Sequence, residues 1–314
     1  MEQVIITGAT GVTGIALVRF LLEQAVKVTA ILRPGTARRK YLPEHPNLTV
    51  MECDMKYYRT LGPLLSGKHY DVFYHLAWEG TTGVHKADNR NDMYLQNRNI
   101  AHTLDAVELC RQLGCGVFVA AGSQAEYGRT TEVISETTIE KPETGYGCAK
   151  LCAGNMSRIL CRKYGIRHVW ARLFSIYGPY DSERNNLINY SIAKLLQNEN
   201  PGYTKGEQRW DYLYSFDAAK ALWLLGDLGK AGEIYCIGYG EARPLSEYIR
   251  ILHRTVNPEI LPVFGEIPYQ EDQVMNLCLD ITKLKQDTGF EAEVEFCKGI
   301  QKVYAWYEKE GMGT

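Results

Sequence analysis

A glycine-rich turn near the N-terminus constrains the fold of this chain more than any other segment. Its seven residues follow the apolar run 4–6 and open an apolar-periodic stretch over residues 15–22. In the order strand, glycine turn, helix, the glycines let backbone N–H groups at the positive end of the helix approach a pyrophosphate. The pattern predicts a dinucleotide site whose candidate contacts are Gly8, Thr10, Gly11, Val12, Thr13 and Gly14.

Strands and helices alternate through the first half of the chain, which extends this prediction to the whole fold. Such alternation is typical of a parallel sheet covered by helices on both faces, with right-handed connections. We therefore expect an α/β fold built on a doubly wound parallel Rossmann sheet. Apolar strands are predicted at residues 4–6, 27–32, 48–52, 72–76, 116–120 and 168–173, and helices at about 14–24, 58–65, 94–113 and 146–164.

The local composition of the sequence changes after about residue 175, where loops rich in Asn, Asp, Pro and Gly separate shorter predicted elements. Residues 1–175 are predicted to form the dinucleotide-binding domain. Residues 176–314 are predicted to form a smaller, mixed α/β region that binds substrate at the carboxyl edge of the sheet, where open α/β sheets hold their ligands. Within that region, helices are predicted at 186–196 and 296–308, and part of 211–240 is expected to return to the Rossmann sheet.

The composition argues against several other classes of protein. A net charge of −2 gives no bulk attraction to nucleic acid or to an anionic membrane surface. No apolar run approaches the roughly 20 residues that span a bilayer, and the first strand begins too near Met1 to leave room for a signal peptide. The nine cysteines lack paired metal spacing, so no metal site is expected, and reduced thiols fit a cytoplasmic location.

The segment 146–150 places a tyrosine one turn before a lysine on a predicted helix. Residues four apart share a helix face, so Tyr146 and Lys150 are expected to be neighbours. A lysine ammonium close to a phenol lowers the pKa of that phenol, which can then exchange a proton with a substrate hydroxyl or carbonyl. Tyr-x-x-x-Lys also occurs by chance on helices, so the interpretation depends on the other motifs.

A polar loop over residues 121–128 directly follows the predicted strand 116–120 and therefore lies at the carboxyl edge of the sheet. Ser123 in this loop is placed to hydrogen-bond a reacting oxygen and stabilise its charge. Capping of a local amide is the alternative role for this serine. Together with Tyr146 and Lys150, Ser123 completes a candidate catalytic trio.

With these motifs the chain resembles an extended short-chain dehydrogenase/reductase of the NAD-dependent epimerase/dehydratase family, whose members act on nucleotide sugars. The resemblance covers nearly the whole length. The further motifs that carry it are Asp54, the segment 75–77 (His-Leu-Ala), Asn99, the segments 172–179, 211–217 and 280–283, and the pair Trp306-Tyr307.

The resemblance implies a role for each matching residue. Tyr146 would be the general acid/base, Lys150 would tune it and hold the nicotinamide ribose, and Ser123 would orient the reacting oxygen. Asp54 would meet the adenine. The resemblance also places Met55, Leu76, Ala77, Asn99 and Phe174 at the cofactor, and implies a homodimer paired through the helices 94–113 and 146–164.

One departure from the family pattern concerns the cofactor. An NAD-preferring member carries an acidic residue at the end of the second strand to bind the ribose 2′-hydroxyl. Here that place reads Ile31-Leu32-Arg33-Pro34-Gly35, without an acid. Because Arg33 can meet a 2′-phosphate, we favour NADP(H) over NAD(H), with a solvated basic turn as the alternative.

A second departure concerns the chemistry. Members that remove water from hexoses carry an Asp-Glu pair directly after the catalytic serine or threonine. Here those two places hold Gln124 and Ala125, and Glu126 is expected to face away from the site. The 4,6-dehydration of a hexose is therefore not expected.

A third departure concerns substrate binding. Ser175 replaces the usual substrate-contacting asparagine, and Trp210 replaces an arginine that helps to hold the substrate diphosphate. Arg209 or Arg243 is expected to compensate for it. Trp78 and Gln124 complete the candidate substrate contacts.

The short sequence segments 75–80, 123–128 and 206–214 most resemble those of the CDP-abequose synthase-like branch of the family. That likeness implies reduction of the C4 keto group of an NDP-4-keto-6-deoxyhexose by NADPH. An NDP-sugar 4-epimerase that retains NAD+ is the first alternative, because the same trio serves both reactions. A non-catalytic NADP-sensing regulator is the second, although such proteins typically lose the Tyr-Lys pair.

Overall fold

The computed structural model describes residues 1–81, 85–181, 186–271 and 273–310 of the 314-residue chain. In chain order these residues form the strands β1 (Gln3–Thr7), β2 (Lys27–Leu32), β3 (Leu48–Glu52), β4 (Val72–His75), β5 (Val117–Ser123), β6 (Arg167–Leu173), β7 (Ser175–Tyr177), β8 (Arg209–Trp210), β9 (Tyr212–Tyr214), β10 (Glu233–Ile237), β11 (Arg243–Pro244) and β12 (Asn276–Leu277). They also form the helices α1 (Val12–Glu23), α2 (Gly62–Leu65), α3 (Lys86–Asn89), α4 (Met93–Gln112), α5 (Gly145–Tyr164), α6 (Leu187–Leu196), α7 (Ser215–Leu228), α8 (Leu245–Val256), α9 (Thr282–Thr288) and α10 (Phe296–Lys309).

The main sheet is parallel, and its strand order is β10-β6-β5-β4-β1-β2-β3. Successive side chains of a strand point to opposite faces, so Phe73 and Tyr74 of β4 enter two different cores. Helices α1 and α7 cover the Tyr74 face, and α4 and α5 cover the Phe73 face. The predicted doubly wound Rossmann sheet is confirmed, and the segment 233–237 forms its edge strand beside β6.

One predicted helix is different in the structure. The segment 58–65 was expected to be a single helix, but a 3₁₀ turn over Met55–Thr60 is followed by the four-residue helix α2. Pro63 lies in the first turn of α2. Because proline lacks an N–H and its ring clashes with the preceding turn, it starts a new helix rather than continuing the old one.

The C-terminal region lies beyond the carboxyl end of β6. Strand β7 starts two residues after β6 ends and pairs with β9, while β8, β11 and β12 form a second small sheet. Helices α6, α8 and α10 pack together over a third core rich in aromatic side chains, including Tyr177, Tyr248 and Phe296. This region therefore stands beside the edge of the main sheet at which the glycine turn and Ser123 are found.

Candidate active site

The glycine turn is a close approach between two loops at the carboxyl ends of β1 and β4. Gly8 has a left-handed backbone (φ +74°), and a Cβ there would lie 2.5 Å from the nitrogen of Ala77. A Cβ on Gly14 would lie 2.2 Å from the carbonyl oxygen of Gly8. Both positions therefore require glycine. Gly8 is needed for its left-handed backbone and for the close contact, and Gly14 is needed for the close contact alone.

The start of helix α1 is suited to bind an anion. Gly11 is its exposed N-cap residue and supplies no capping side chain, so the first N–H groups of this twelve-residue helix lack a side-chain acceptor. No acidic residue occupies the first turn. Val12 begins the helix, and Gly8, Thr10 and Gly11 line the adjoining cleft. These features fit the pyrophosphate of a dinucleotide.

The cleft beside this turn holds about 240 Å³ and brings together most of the candidate cofactor residues. Asp54 caps the 3₁₀ turn that follows β3 and accepts a hydrogen bond from the backbone N–H of Lys56 (3.1 Å). The lining includes residues from the ends of β1, β2, β3 and β4, which are Arg33, Asp54, Met55, Leu76 and Ala77 in addition to the glycine turn.

The basic residues after β2 have different environments. Arg33 is exposed in the cleft and has no ion pair with another described residue. Arg38 donates hydrogen bonds to the carbonyl oxygens of Thr10 (2.6 Å) and Tyr180, and so ties the glycine turn to the loop after β7. Arg39 pairs with Glu52 at the surface. Arg33 is therefore a basic side chain of the cleft that is available to a ligand.

A second cleft, of about 260 Å³, adjoins the first and contains the candidate catalytic trio. Ser123, Tyr146 and Lys150 line it, and Leu76, Trp78 and Thr81 line both clefts. Thr13, Gln124 and Phe174 are also in its wall. The structure thus brings the trio to the place where a dinucleotide extending from the glycine turn would end.

Ser123 ends β5 and begins a short 3₁₀ turn over Gln124–Glu126. Its hydroxyl oxygen accepts a hydrogen bond from the backbone N–H of Ala125 (3.2 Å), and Glu126 accepts one from the backbone N–H of Ser123 (2.7 Å). This reciprocal capping box fixes the backbone of Ser123. The capping role considered from the sequence is therefore real, and the hydroxyl also faces the second cleft.

Glu126 is held beneath the cleft by a network of buried hydrogen bonds. It accepts hydrogen bonds from the guanidinium of Arg172 (2.7 Å) and from the indole N–H of Trp170 (3.0 Å). Both Glu126 and Arg172 are fully buried. This placement agrees with the expectation that Glu126 faces away from the reacting groups. Its partner Arg172 is on β6, and no local sequence signal indicates that this residue supports Ser123.

Tyr146 is less easily ionised than the helix spacing suggested. Burial raises the pKa of its phenol above the ordinary value, and the hydroxyl of Ser123 and the charge of Arg90 lower that pKa in part. The Lys150 ammonium lies 6.0 Å from the centre of the Tyr146 ring. In this structure burial outweighs the lowering of the phenol pKa that the helix spacing predicts, and the contribution of Lys150 to that lowering stays a prediction.

Lys150 is buried and makes its contacts with other groups of the site. It donates a hydrogen bond to the carbonyl oxygen of Ala121 (2.7 Å), and its ammonium lies 3.8 Å from the centre of the Trp78 ring. Burial lowers the pKa of Lys150 to about 7. Trp78, expected at the substrate, is therefore also a direct neighbour of Lys150.

Asn99 is behind the cofactor cleft rather than in its wall. Its amide donates a hydrogen bond to the carbonyl oxygen of Glu79 (3.0 Å) and accepts one from the N–H of the same residue (2.9 Å). The side chain is 1% exposed. The role implied by the resemblance changes accordingly, because Asn99 fixes the loop after β4 and reaches a cofactor only through that loop.

The candidate substrate residues divide into two groups. Trp210 donates an indole hydrogen bond to the hydroxyl of Ser175 (2.7 Å), so these two replaced family positions are in direct contact. Arg209 is exposed and donates to the carbonyl oxygen of Ala242 (2.7 Å). Arg243 pairs with Glu241 and lines a separate groove between α8 and α10. Neither arginine lines the two clefts described above, so the expected compensation for the diphosphate has no support from this geometry.

Two kinds of feature are missing from the part of the chain that the structure describes. No cluster of three or more histidine, cysteine or acidic side chains is arranged to hold a metal ion there. Among the same residues, no helix is both long enough and apolar enough to cross a membrane.

A family model described as "NAD dependent epimerase/dehydratase family" matches residues 4–238. Among curated proteins, a dTDP-glucose 4,6-dehydratase of Escherichia coli is 25% identical over 97% of this chain and 92% of its own length. An uncharacterised UDP-glucose epimerase of Bacillus subtilis is 24% identical over 97% of each chain.

Solved structures share the fold across the whole chain. A UDP-glucose 4-epimerase of Thermotoga maritima superposes with a TM-score of 0.86 at 22% identity, covering 98% of this chain and 99% of its own. A dTDP-glucose 4,6-dehydratase of Streptomyces venezuelae, with NAD bound, gives 0.84 at 23% identity over 98% and 97% of the two chains. At these identities the superpositions establish the fold.

Proposed function

Because the chain belongs to the NAD dependent epimerase/dehydratase family, we propose that it reduces the C4 keto group of an NDP-4-keto-6-deoxyhexose, with Tyr146 as the proton donor. The observation that favours carbonyl reduction over dehydration is the position of Glu126. This carboxylate is buried against Arg172, and the two residues after Ser123 are Gln124 and Ala125. The trio can thus serve proton exchange at one oxygen, but no carboxylate at these positions is available to help expel water.

Each residue of the trio has its own role in carbonyl reduction. Bound nicotinamide supplies the hydride that reduces the carbonyl carbon. Tyr146 donates a proton to the carbonyl oxygen, and its raised pKa keeps the phenol protonated at neutral pH, the form that a donor requires. The Ser123 hydroxyl donates a hydrogen bond to the same oxygen and stabilises the charge that develops on it. Lys150 lines the same cleft and is assigned to the nicotinamide ribose.

NADP(H) is the proposed cofactor, although the family is described as NAD-dependent and solved relatives hold NAD. The support is local to the end of β2. No acidic residue is found there, and Arg33 lies in the cleft without an ion-pair partner among the described residues. A 2′-phosphate would gain a cation, whereas a ribose 2′-hydroxyl would lack its usual carboxylate.

We also propose that the chain is divided into a cofactor domain (1–175) and a substrate region (176–314). We further propose that it is cytoplasmic and forms a homodimer in which α4 and α5 pack against the same helices of the second copy. The outer faces of α4 and α5 support this dimer, because they expose large apolar side chains. Tyr94 is 84% exposed, and Met156 and Ile159 are 43% and 54% exposed. An elution volume in size-exclusion chromatography with light scattering that gives one chain mass would contradict the dimer.

The experiment that tests the proposed reaction combines bound-cofactor analysis with turnover. Purified protein is first examined for retained nicotinamide, then supplied with NADPH and a panel of nucleotide-linked 4-keto-6-deoxyhexoses while absorbance at the reduced cofactor's band is followed. We expect oxidation of NADPH that depends on the keto sugar. Stoichiometric retained NAD+ with interconversion of C4 epimers would support the epimerase instead. Binding of NADPH without turnover of either kind of sugar would support the sensor.

A further inference from the structure

The segment between α3 and α4 is fastened to the first turn of the catalytic helix. The carbonyl oxygen of Arg90 accepts a hydrogen bond from the backbone N–H of Tyr146 (2.7 Å), and the side chain of Asn91 accepts one from that of Gly145 (3.0 Å). A Cβ on Gly145 would lie 3.1 Å from the Arg90 carbonyl oxygen. The backbone of Arg90 is therefore held against α5 without help from its side chain.

The guanidinium of Arg90 lies directly over the phenol ring of Tyr146. Its central carbon is 5.0 Å from the ring centre, and the side chain is half-buried. None of the ion pairs found among the described residues involves Arg90. Its charge thus faces the phenol, and no carboxylate of the described residues is within ion-pairing distance of it.

Trp78 is a neighbour of both the phenol and the other nearby cation. The Lys150 ammonium is over the face of the Trp78 ring at 3.8 Å and 6.0 Å from the centre of the Tyr146 ring, and the Trp78 and Tyr146 rings are perpendicular (89°) with their centres 6.0 Å apart. The indole N–H of Trp78 donates to the side-chain oxygen of Gln96 (2.9 Å), which fixes the ring in this position. A cation over an aromatic face is attracted to the ring, so the ammonium is retained there.

We infer that Arg90 is a positioning residue whose charge, together with that of Lys150, stabilises the phenolate of Tyr146 as its proton is given up. This inference rests on the proposed function of Tyr146 as proton donor. Two further groups act on the phenol from other elements. The hydroxyl of Ser123 at the end of β5 acts in the same sense as Arg90, and Glu126 opposes it with a charge that Arg172 largely balances.

The direction of the change in the Tyr146 pKa follows from the positive charge of Arg90. A cation beside a phenol favours the ionised form, so Arg90 lowers the pKa of Tyr146 and its loss raises that pKa further. In the reduction, negative charge develops on the phenol oxygen in the transition state. Loss of Arg90 therefore lowers kcat, while KM is retained because Arg90 lines neither of the two clefts.

The direct test titrates Tyr146 itself, without any substrate. 3-Fluorotyrosine is placed at position 146 by codon suppression, and its ¹⁹F resonance is followed against pH in the otherwise unchanged full chain and in variants. We expect Arg90→Gln to raise the titration midpoint by about one pH unit, and Arg90→Lys to restore most of the difference. Arg162→Gln removes an equal charge from an exposed position about 24 Å further along α5 and is expected to leave the midpoint unchanged.

Turnover gives the second readout, with the wild-type residue at position 146. The basic limb of the kcat profile for keto-sugar reduction should move upward in Arg90→Gln, with a lower kcat and an unchanged KM, and should stay in place in Arg162→Gln. A midpoint in Arg90→Gln equal to that in the unsubstituted chain would overturn the inference. Because the titration needs no substrate, failure of the proposed reaction would appear separately, as an absence of turnover in the wild-type chain.

Discussion

The buried carboxylate beneath Ser123 gives the sharpest stability prediction. Glu126→Gln preserves the size of the side chain and one oxygen acceptor, but removes the charge that faces Arg172. In the folded protein the carboxylate accepts hydrogen bonds from three groups, at 2.7 Å from Ser123 N–H, 2.7 Å from Arg172 and 3.0 Å from Trp170. The substitution would leave the guanidinium with Glu140 as its remaining carboxylate partner (2.8 Å).

The expected loss in the free energy of unfolding depends on the carboxylate partner that Arg172 keeps. Removing one member of a buried ion pair costs about 3–5 kcal/mol, because the other charge stays buried. Since Glu140 still pairs with Arg172, we place the cost at the lower end, about 3 kcal/mol. At about 2–4 °C per kcal/mol for large domains, the melting temperature should fall by about 6–12 °C.

Urea denaturation followed by far-UV circular dichroism measures the change in the free energy of unfolding, with thermal melting as a second assay. Glu143→Gln is the matched control, because Glu143 pairs with Arg129 at the surface (2.7 Å), where an ion pair contributes about 0–1 kcal/mol. A loss in Glu126→Gln no larger than in Glu143→Gln would refute the account of the buried network.

Three further predictions test other parts of the structure. Gly8→Ala should abolish dinucleotide binding in fluorescence titration, because its Cβ would meet backbone at 2.5 Å; Gly35→Ala, which has the same left-handed backbone but open space, should retain binding. Arg33→Ala should lower the affinity for NADPH about tenfold or more with little change for NADH, and an unchanged ratio of the two dissociation constants would contradict the proposed role of Arg33. Burial lowers the pKa of His168 to about 3. Its contribution to stability is therefore present above about pH 6.5 and lost as pH falls toward 3, at about 1.4 kcal/mol per unit, so His168→Gln should flatten the dependence of unfolding free energy on pH below 6.5.

The Rossmann sheet was readable from the sequence because its signals are local. The glycine turn, the apolar strands and the spacing of Tyr146 and Lys150 all report on short segments, and a parallel sheet then brings their carboxyl ends to one edge. Pro63 was the local signal missed, since it divides a predicted helix into two short pieces. A proline inside a helical pattern ends the helix or starts a new one, so Pro63 itself indicates this division.

The parts that the sequence did not predict depend on contacts between distant segments. Arg172 supports the Ser123 turn from a neighbouring strand. Trp78 contacts the Lys150 ammonium, although it is in a loop more than 70 residues earlier in the chain. The pKa of Tyr146 depends on burial, which spacing along a helix does not report. Arg90 belongs to no recognised motif, so its position over the phenol is visible only in three dimensions.

The central claim is that this chain transfers hydride from external NADPH to C4 of a nucleotide-linked keto sugar, with Tyr146 supplying the proton. The most direct measurement uses NADPH carrying deuterium at the transferred position and mass spectrometry of the product sugar, in the wild-type chain and in Tyr146→Phe. The account predicts one deuterium at C4 for each NADPH oxidised by the wild-type chain, and no product from Tyr146→Phe. A product sugar formed without deuterium and without net cofactor oxidation would contradict it.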